Sequence, residues 1–265
     1  MQFHVVHALV LRYLFLFSRA PIRLAELMFW PLMNLLVWGN LTVYMQQRTD
    51  PSRPAEVTFL FGAVILWDVL FRSQQGVAVF FLEDVWSRNL LNIFAAPVRI
   101  GDYLAATYMV GLLRSAITVT LLAVLTWFLY AFDIFRLGFW LLPFAGNLMI
   151  FGWALGMIST ALILRFGPAA ETLAWAIPFF IQPFAAVFYT VESMPSWMQK
   201  IANILPCTHV FEGMRTVLVK GRPDWSSLLW ATALNLVLLA LAGWLFAHIM
   251  KVARERGLIT KFATQ

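Results

Sequence analysis

Hydrophobic residues gather along this chain into six long runs, 27–45, 57–81, 103–129, 140–164, 173–189 and 228–249, each parted from the next by a polar stretch. A membrane-crossing helix needs roughly 20 mostly apolar residues. The pattern therefore predicts an all-α, polytopic membrane protein with six transmembrane helices in a single domain covering residues 1–265. A further apolar run, Phe3 to Phe17, is interrupted by His4, His7 and Arg12. It falls short of the ~20 residues of a span and predicts an amphipathic interfacial helix within residues 1–23. Lacking a basic leading region and a small-residue cleavage site, it does not read as a removed signal peptide.

Two polar stretches have a helical pattern of their own. In 83–97, charged Glu83, Asp84 and Arg88 precede Leu90, Leu91, Ile93 and Phe94, and Pro97 closes the segment; this spacing predicts a short amphipathic helix. In 192–227, Trp197, Ile201 and Leu205 form one apolar face and Phe211, Met214 and Leu218 another, either side of Pro206. Two short re-entrant or surface helices are expected there.

Composition agrees with a bilayer setting: 62% of the residues are hydrophobic and 12% are charged. With six spans both termini share a side. That side carries ten of the Lys and Arg residues outside the spans and the opposite side seven, which favours cytoplasmic termini by the positive-inside rule. The net charge of +6 is then explained by topology and anionic headgroups of membrane lipids, with no nucleic-acid partner, because no basic or aromatic-basic platform stands outside the spans. Cys207 is the only cysteine, which rules out an intramolecular disulfide and a thiolate cluster. His209 beside it is too sparse a companion for a metal site. The sequence has no phosphate-binding loop and no Gly-Lys pair, so ATP hydrolysis is not expected on this chain.

The segment from Leu82 to Val98 resembles the cytoplasmic coupling helix of type-2 ABC exporter permeases. Met194-Pro195-Ser196-Trp197-Met198, Leu205-Pro206 and Phe211-Glu212-Gly213-Met214-Arg215 resemble that family's pattern before its last span. The chain departs from the family at Arg88-Asn89, where many members carry Gly-Thr. This resemblance implies a multi-pass subunit of the bacterial cytoplasmic (inner) membrane, with the 192–227 loop extracytoplasmic. It also implies an ABC-type ATPase partner that binds the ATP and Mg, no cofactor on this chain, and a second permease subunit in a homodimer or heterodimer. The function implied is ATP-driven export of an amphipathic or hydrophobic molecule (a drug, lipid, lipid-linked glycan or natural product) by alternating access. A membrane-embedded lipid or prenyl-group enzyme is the first alternative, but the acids are scattered, with no Asp-x-x-x-Asp pair near a span. A stand-alone secondary transporter is the second.

On this reading Glu83, Asp84, Arg88, Leu90, Leu91, Ile93 and Phe94 couple to the ATPase, the four apolar residues forming the docking face. Asp68 and Arg72 stand four apart within the second run and share a helix face, as a polar patch on the translocation path or as a pair that lets the span insert. Arg72, Gln74 and Gln75 are expected near the cytoplasmic mouth, and Arg114 in the third run has Asp68 as its candidate partner. Gly152 and Gly156 form a small-x-x-x-small step, read as internal packing in preference to a dimer contact. Pro178 and Pro183 interrupt the fifth run, and with Trp153 and Trp175 they are candidates for lining a substrate path.

Overall fold

The computed structural model describes residues 2–19, 21–48, 55–222 and 224–256. Ten α-helices account for most of them: α1 (Phe3–Ser18), α2 (Pro21–Gln46), α3 (Ala55–Trp86), α4 (Leu90–Ala95), α5 (Ile100–Tyr130), α6 (Leu141–Phe166), α7 (Glu171–Ile181), α8 (Ser196–Ala202), α9 (Pro206–Lys220) and α10 (Trp225–Glu255). Four stretches among them are long and apolar enough to cross a bilayer, Thr58–Trp86, Ile100–Tyr130, Ile134–Phe166 and Trp225–Glu255.

Helix α3 is the axis of the bundle. Its residues 60–70 are buried without interruption, because α2, α5, α6 and α9 all pack on it. On its α6 side the approach is too close for side chains: a Cβ on Gly152 would lie 2.6 Å from the Leu70 carbonyl oxygen, and one on Gly156 would lie 2.6 Å from Val77 Cβ. The two glycines thus act inside the chain, where their missing side chains let α6 settle into α3. On the far side of α6, Asn235 of α10 donates to both the backbone and the side-chain oxygen of Asn147, at 2.9 Å each.

The two ends of the bundle differ in composition. One is built from α1, α4, the start of α5 and the ends of α3 and α10. Helix α1 buries Val6, Leu9, Tyr13 and Phe17 along one stripe, the spacing of an amphipathic helix. The Gln2 amide donates to Asp102 at 2.9 Å, and the Arg254 guanidinium lies 5.1 Å from the Phe94 ring. Gln2 and Arg254 therefore both sit at the α4 end. The other end holds α9 against the starts of α3, α6 and α10, where Gly213 meets Phe144 and Ser227 and Gly62 meets Met214. Pro206 opens α9, and Gly221, in the left-handed region at φ 63°, closes it. Asp224 caps α10 by accepting from the Ser226 and Ser227 amides; its hydrogen bonds, that from Ser227 foremost, hold its carboxyl below the usual range.

Three features differ from the sequence reading. Helix α3 continues to Trp86, so Glu83 and Asp84 belong to its last turn and not to a separate coupling helix; no helix breaker precedes Ser87, and partners for Asp84 allow the helix to continue while buried. Arg72, Gln74 and Gln75 consequently lie in the middle of α3, not at its mouth. Segment 173–189 is not one helix. Helix α7 stops at Ile181, about 16 Å from its start, and a 3-10 turn over Gln182–Phe184 leads into a bend at Ala186, where φ is 52°. This broken segment still runs the length of the bundle. Glu171 accepts from the Trp86 indole at 3.2 Å at the end of α3, and the Val187 carbonyl accepts from Arg215 of α9 at 3.0 Å.

Candidate functional site

Between α2 and α7, the described residues leave a cavity along one face of α3. Val64, Trp67, Asp68, Phe71, Arg72, Gln75, Val79, Glu83 and Trp86 recur along that face every three or four residues and line the cavity, of about 720 Å³. From Val64 to Trp86 this stripe rises about 33 Å, comparable to the ~30 Å hydrocarbon core of a bilayer. Helices α2 and α7 form the side walls with Trp30, Asn34, Trp38, Trp175, Phe179 and Gln182. The α9 end of the cavity is narrowed by Trp38 stacked on Phe188, ring centroids 3.8 Å apart and planes at 13°.

Mid-cavity, Asp68 and Arg72 approach to 3.4 Å across one turn of α3. Arg114 lines the same cavity, with its guanidinium 4.3 Å from the Phe17 ring and 5.3 Å from the Phe80 ring. Gln74, one position from the stripe, points the other way and donates to the Ala174 carbonyl at 2.8 Å and to Ser159 at 3.2 Å. That amide fastens α6 and α7 to α3, while its neighbour Gln75 faces the cavity.

A second polar cluster closes the α4 end. Asp84, fully buried, accepts from the Tyr13 and Tyr103 hydroxyls at 2.8 Å each and pairs with Arg12 at 2.7 Å. Burial, reinforced by the Asp84 charge, pushes the Tyr13 hydroxyl well above its usual range, which keeps it a donor. One carboxylate so joins α1, α3 and α5. The Phe94 ring lies 5.4 Å from Tyr103, which ties α4 to the same cluster.

The apolar residues of the coupling segment do not form an outward docking face. Leu90 and Ile93 are buried in the chain's own core, with Leu91 and Phe94 packed against it; a six-residue helix beside so large an apolar surface turns its own apolar side inward. Exposed there are Trp86, Ser87, Arg88, Asn92, Ala95, Ala96 and Pro97. Arg88 ends α3 in the left-handed region, at φ 52°.

Of the path candidates, Trp175 lines the cavity and Trp153 does not: it stacks on Tyr108, centroids 4.5 Å apart, between α5 and α6. Pro178 is buried within α7, and Pro183 sits in the 3-10 turn. Neither proline lines the cavity, but adjacent Phe179 and Gln182 do. Sequence reasoning missed most of the wall, including Trp30, Trp67, Phe71 and Gln182. The available signal was the periodicity of Asp68, Arg72 and Gln75, which marks one wet face of an otherwise buried helix. Among the described residues no group of three His, Cys, Asp or Glu is placed to hold a metal ion.

The pattern of the ABC-2 type transporter family matches residues 4–219, which take in the cavity walls and both polar clusters. A relative named ABC transporter G family member 20, from Dictyostelium discoideum, is 25% identical over 175 residues, 62% of this chain and 22% of that protein. This chain thus spans about a fifth of the length of the relative. With polytopic helices, a groove along a central helix and this match over most of its length, the chain belongs to the ABC-2 type transporter family as a multi-pass membrane permease.

Proposed function

We propose that this permease exports an amphipathic molecule from the cytoplasm, driven by a separate ABC-type ATPase, and that the cavity along α3 is the path. The observation that carries the reading is the cavity-lining stripe from Val64 to Trp86, which matches a bilayer core in length and sets charged and amide side chains among aromatic ones. Charged residues at membrane depth are costly and mark pathways or paired structural sites; here they face a cavity. The broken α7 supplies one wall, in keeping with non-helical backbone lining cavities in membrane proteins.

In this reading the α4 end is cytoplasmic. Helices α2, α3, α5, α6, the 171–189 segment and α10 are the six crossings, α1 lies on the inner interface, and α8 and α9 are extracytoplasmic. An even number of crossings is supported by Gln2 and Arg254 lying at the same end. A second permease subunit covers the open side of the groove. The ATPase, holding ATP and Mg, docks on the exposed side of the coupling segment, at Arg88, Asn92 and Ala95, and its motion reaches α3 through Phe94, Tyr103 and Asp84.

Ala95→Arg and Asn92→Arg are the test, since both lie on the exposed side and leave the inward packing of Leu90 and Ile93 intact. The variants are expected to insert normally, to lose copurification with the ATPase and to lose ATP-driven transport in inverted vesicles. Wild-type copurification and transport in both would overturn the docking face.

A further inference from the structure

We propose that the cavity binds the uncharged, polyhydroxylated headgroup, longer than one sugar ring, of a lipid-like amphiphile; this rests on the cavity being the transport path. Three observations carry it. The first is charge. Among the described residues, the ionisable side chains lining the cavity are Asp68 and Glu83 against Arg72 and Arg114, two of each sign, so this set offers neither a cationic nor an anionic headgroup a net attraction.

The second is hydrogen-bonding capacity. Asp68 is 8% exposed and Gln75 is 3% exposed. Among the described residues, Asp68 Oδ2 and Gln75 Nε2 have no hydrogen-bond partner, although both residues line the cavity. One is an acceptor and the other a donor. A hydroxyl both donates and accepts, so a polyol satisfies the two together, while a quaternary ammonium or a carboxylate satisfies at most one. Seven residues apart on α3, they are separated by about 10 Å along the axis. That spacing is suited to a headgroup of more than one ring.

The third is the wall. Five indoles, Trp30, Trp38, Trp67, Trp86 and Trp175, line the cavity, and broad aromatic faces pack on the C–H faces of sugar rings while leaving the hydroxyls to the amide and carboxylate side chains. The remaining lining is aliphatic or phenyl, from Val64, Val79, Leu122 and Phe179 among others, and accepts an alkyl chain. Volume and composition fall within the range of small-molecule sites, largely apolar with a few convergent polar groups.

The experiment measures tryptophan quenching in the purified permease in lipid nanodiscs, titrated with three amphiphiles of one chain length: decyl maltoside, decyltrimethylammonium and decanoate. Each is run against wild type, Gln75→Leu and Trp175→Leu, with thermal unfolding to verify that the variants fold. Partition into the bilayer is common to all three proteins, so the difference between them reads the cavity. The expected result is saturable quenching by the maltoside, weakened about tenfold in Gln75→Leu, the loss of roughly one well-made hydrogen bond, and weakened in Trp175→Leu. Asn34→Leu, which removes a different amide from the cavity wall, guards against a folding defect in Gln75→Leu and is also expected to weaken the maltoside. A cavity-dependent response to the ammonium or the carboxylate that exceeds that to the maltoside would leave the path standing and overturn the headgroup class. Quenching by all three that no cavity variant alters would overturn the path itself and the inference with it.

Discussion

Asp68 and Asp84 are both buried carboxylates on α3, yet their surroundings have little in common. Asp84 accepts hydrogen bonds from Tyr13 and Tyr103 on one oxygen and forms an ion pair with Arg12 through the other, partners drawn from two other helices. Asp68 has Arg72 of its own helix at 3.4 Å and an oxygen that meets no donor among the described residues. A buried charge needs partners, and removing one from a saturated cluster leaves the rest stranded. The Asp84 cluster accordingly behaves as a joint between helices, whereas Asp68 keeps an oxygen, in a cavity-lining residue, that none of the described side chains uses. Burial alone does not separate the two roles; the origin of the partners does.

The sharpest way to break this comparison is to neutralise each acid. Asp84→Ala leaves Arg12 and two hydroxyls facing an apolar gap and is expected to cost about 3 to 5 kcal/mol, seen as a large drop in the thermal unfolding midpoint of the purified permease. Asp68→Asn keeps the shape and lies beside a cavity, so a cost of about 1 kcal/mol is expected, with the larger effect on transport. Equal losses of stability would erase the distinction. If Asp68 and Arg72 act as a pair, Arg72→Gln added to Asp68→Asn will cost less than the sum of the two single changes.

The two sides of α3 offer the next test. On the closed side, a Cβ at position 156 would lie 2.6 Å from Val77 Cβ and 2.9 Å from the Gln74 carbonyl oxygen. Gly156→Ala should therefore destabilise by about 1 to 3 kcal/mol through overpacking. On the open side, Phe179→Leu should leave the unfolding midpoint nearly unchanged while lowering transport. A neutral Gly156→Ala would mean that α6 is free to move away from α3.

How far these roles could be read from sequence depends on the kind of pattern involved. Most of the helices were legible because apolar runs are a local property, and the run from Phe3 to Phe17, too short for a span, announced the amphipathic helix that buries Val6, Leu9, Tyr13 and Phe17. The pairing of Asp68 with Arg72 was legible for the same reason, being four residues apart on one helix. Asp84 was misread because its partners stand far off in sequence, at positions 12, 13 and 103, and a surface helix was the expected setting for a Glu-Asp pair. Leu90 and Ile93 were misread because amphipathicity shows that a face is buried and does not say against what. The cavity walls from α2 and α7 depend on tertiary packing, which no local spacing encodes.

A finer probe of the Asp84 joint is to remove its donors one at a time. Tyr13→Phe and Tyr103→Phe each delete one neutral hydroxyl from an acceptor that keeps its other partners, so each should cost about 1 kcal/mol, well below the loss for Asp84→Ala. Ring packing is preserved, since Tyr13 meets Phe80 at 4.5 Å and Tyr103 meets Phe94 at 5.4 Å through their rings. A loss in either variant as large as that of the acid itself would show that the donors act as one unit.

The smallest effect is expected where α3 stops, one turn after Asp84. Arg88 holds φ at 52°, a left-handed conformation that costs a residue with a Cβ about 1 to 2 kcal/mol. Glycine escapes that cost but loses about 0.5 to 1 kcal/mol more conformational entropy on folding. The difference leaves Arg88→Gly more stable by about 0.5 to 1 kcal/mol, a small rise in the unfolding midpoint. Arg88 is exposed beside the coupling segment, so the same variant bears on function. If stability rises while ATPase copurification falls, the arginine is kept at a strained position for its partner; if the midpoint falls instead, interactions of its side chain within the permease outweigh the backbone strain, and the end of α3 belongs to the Asp84 joint and not to the docking surface.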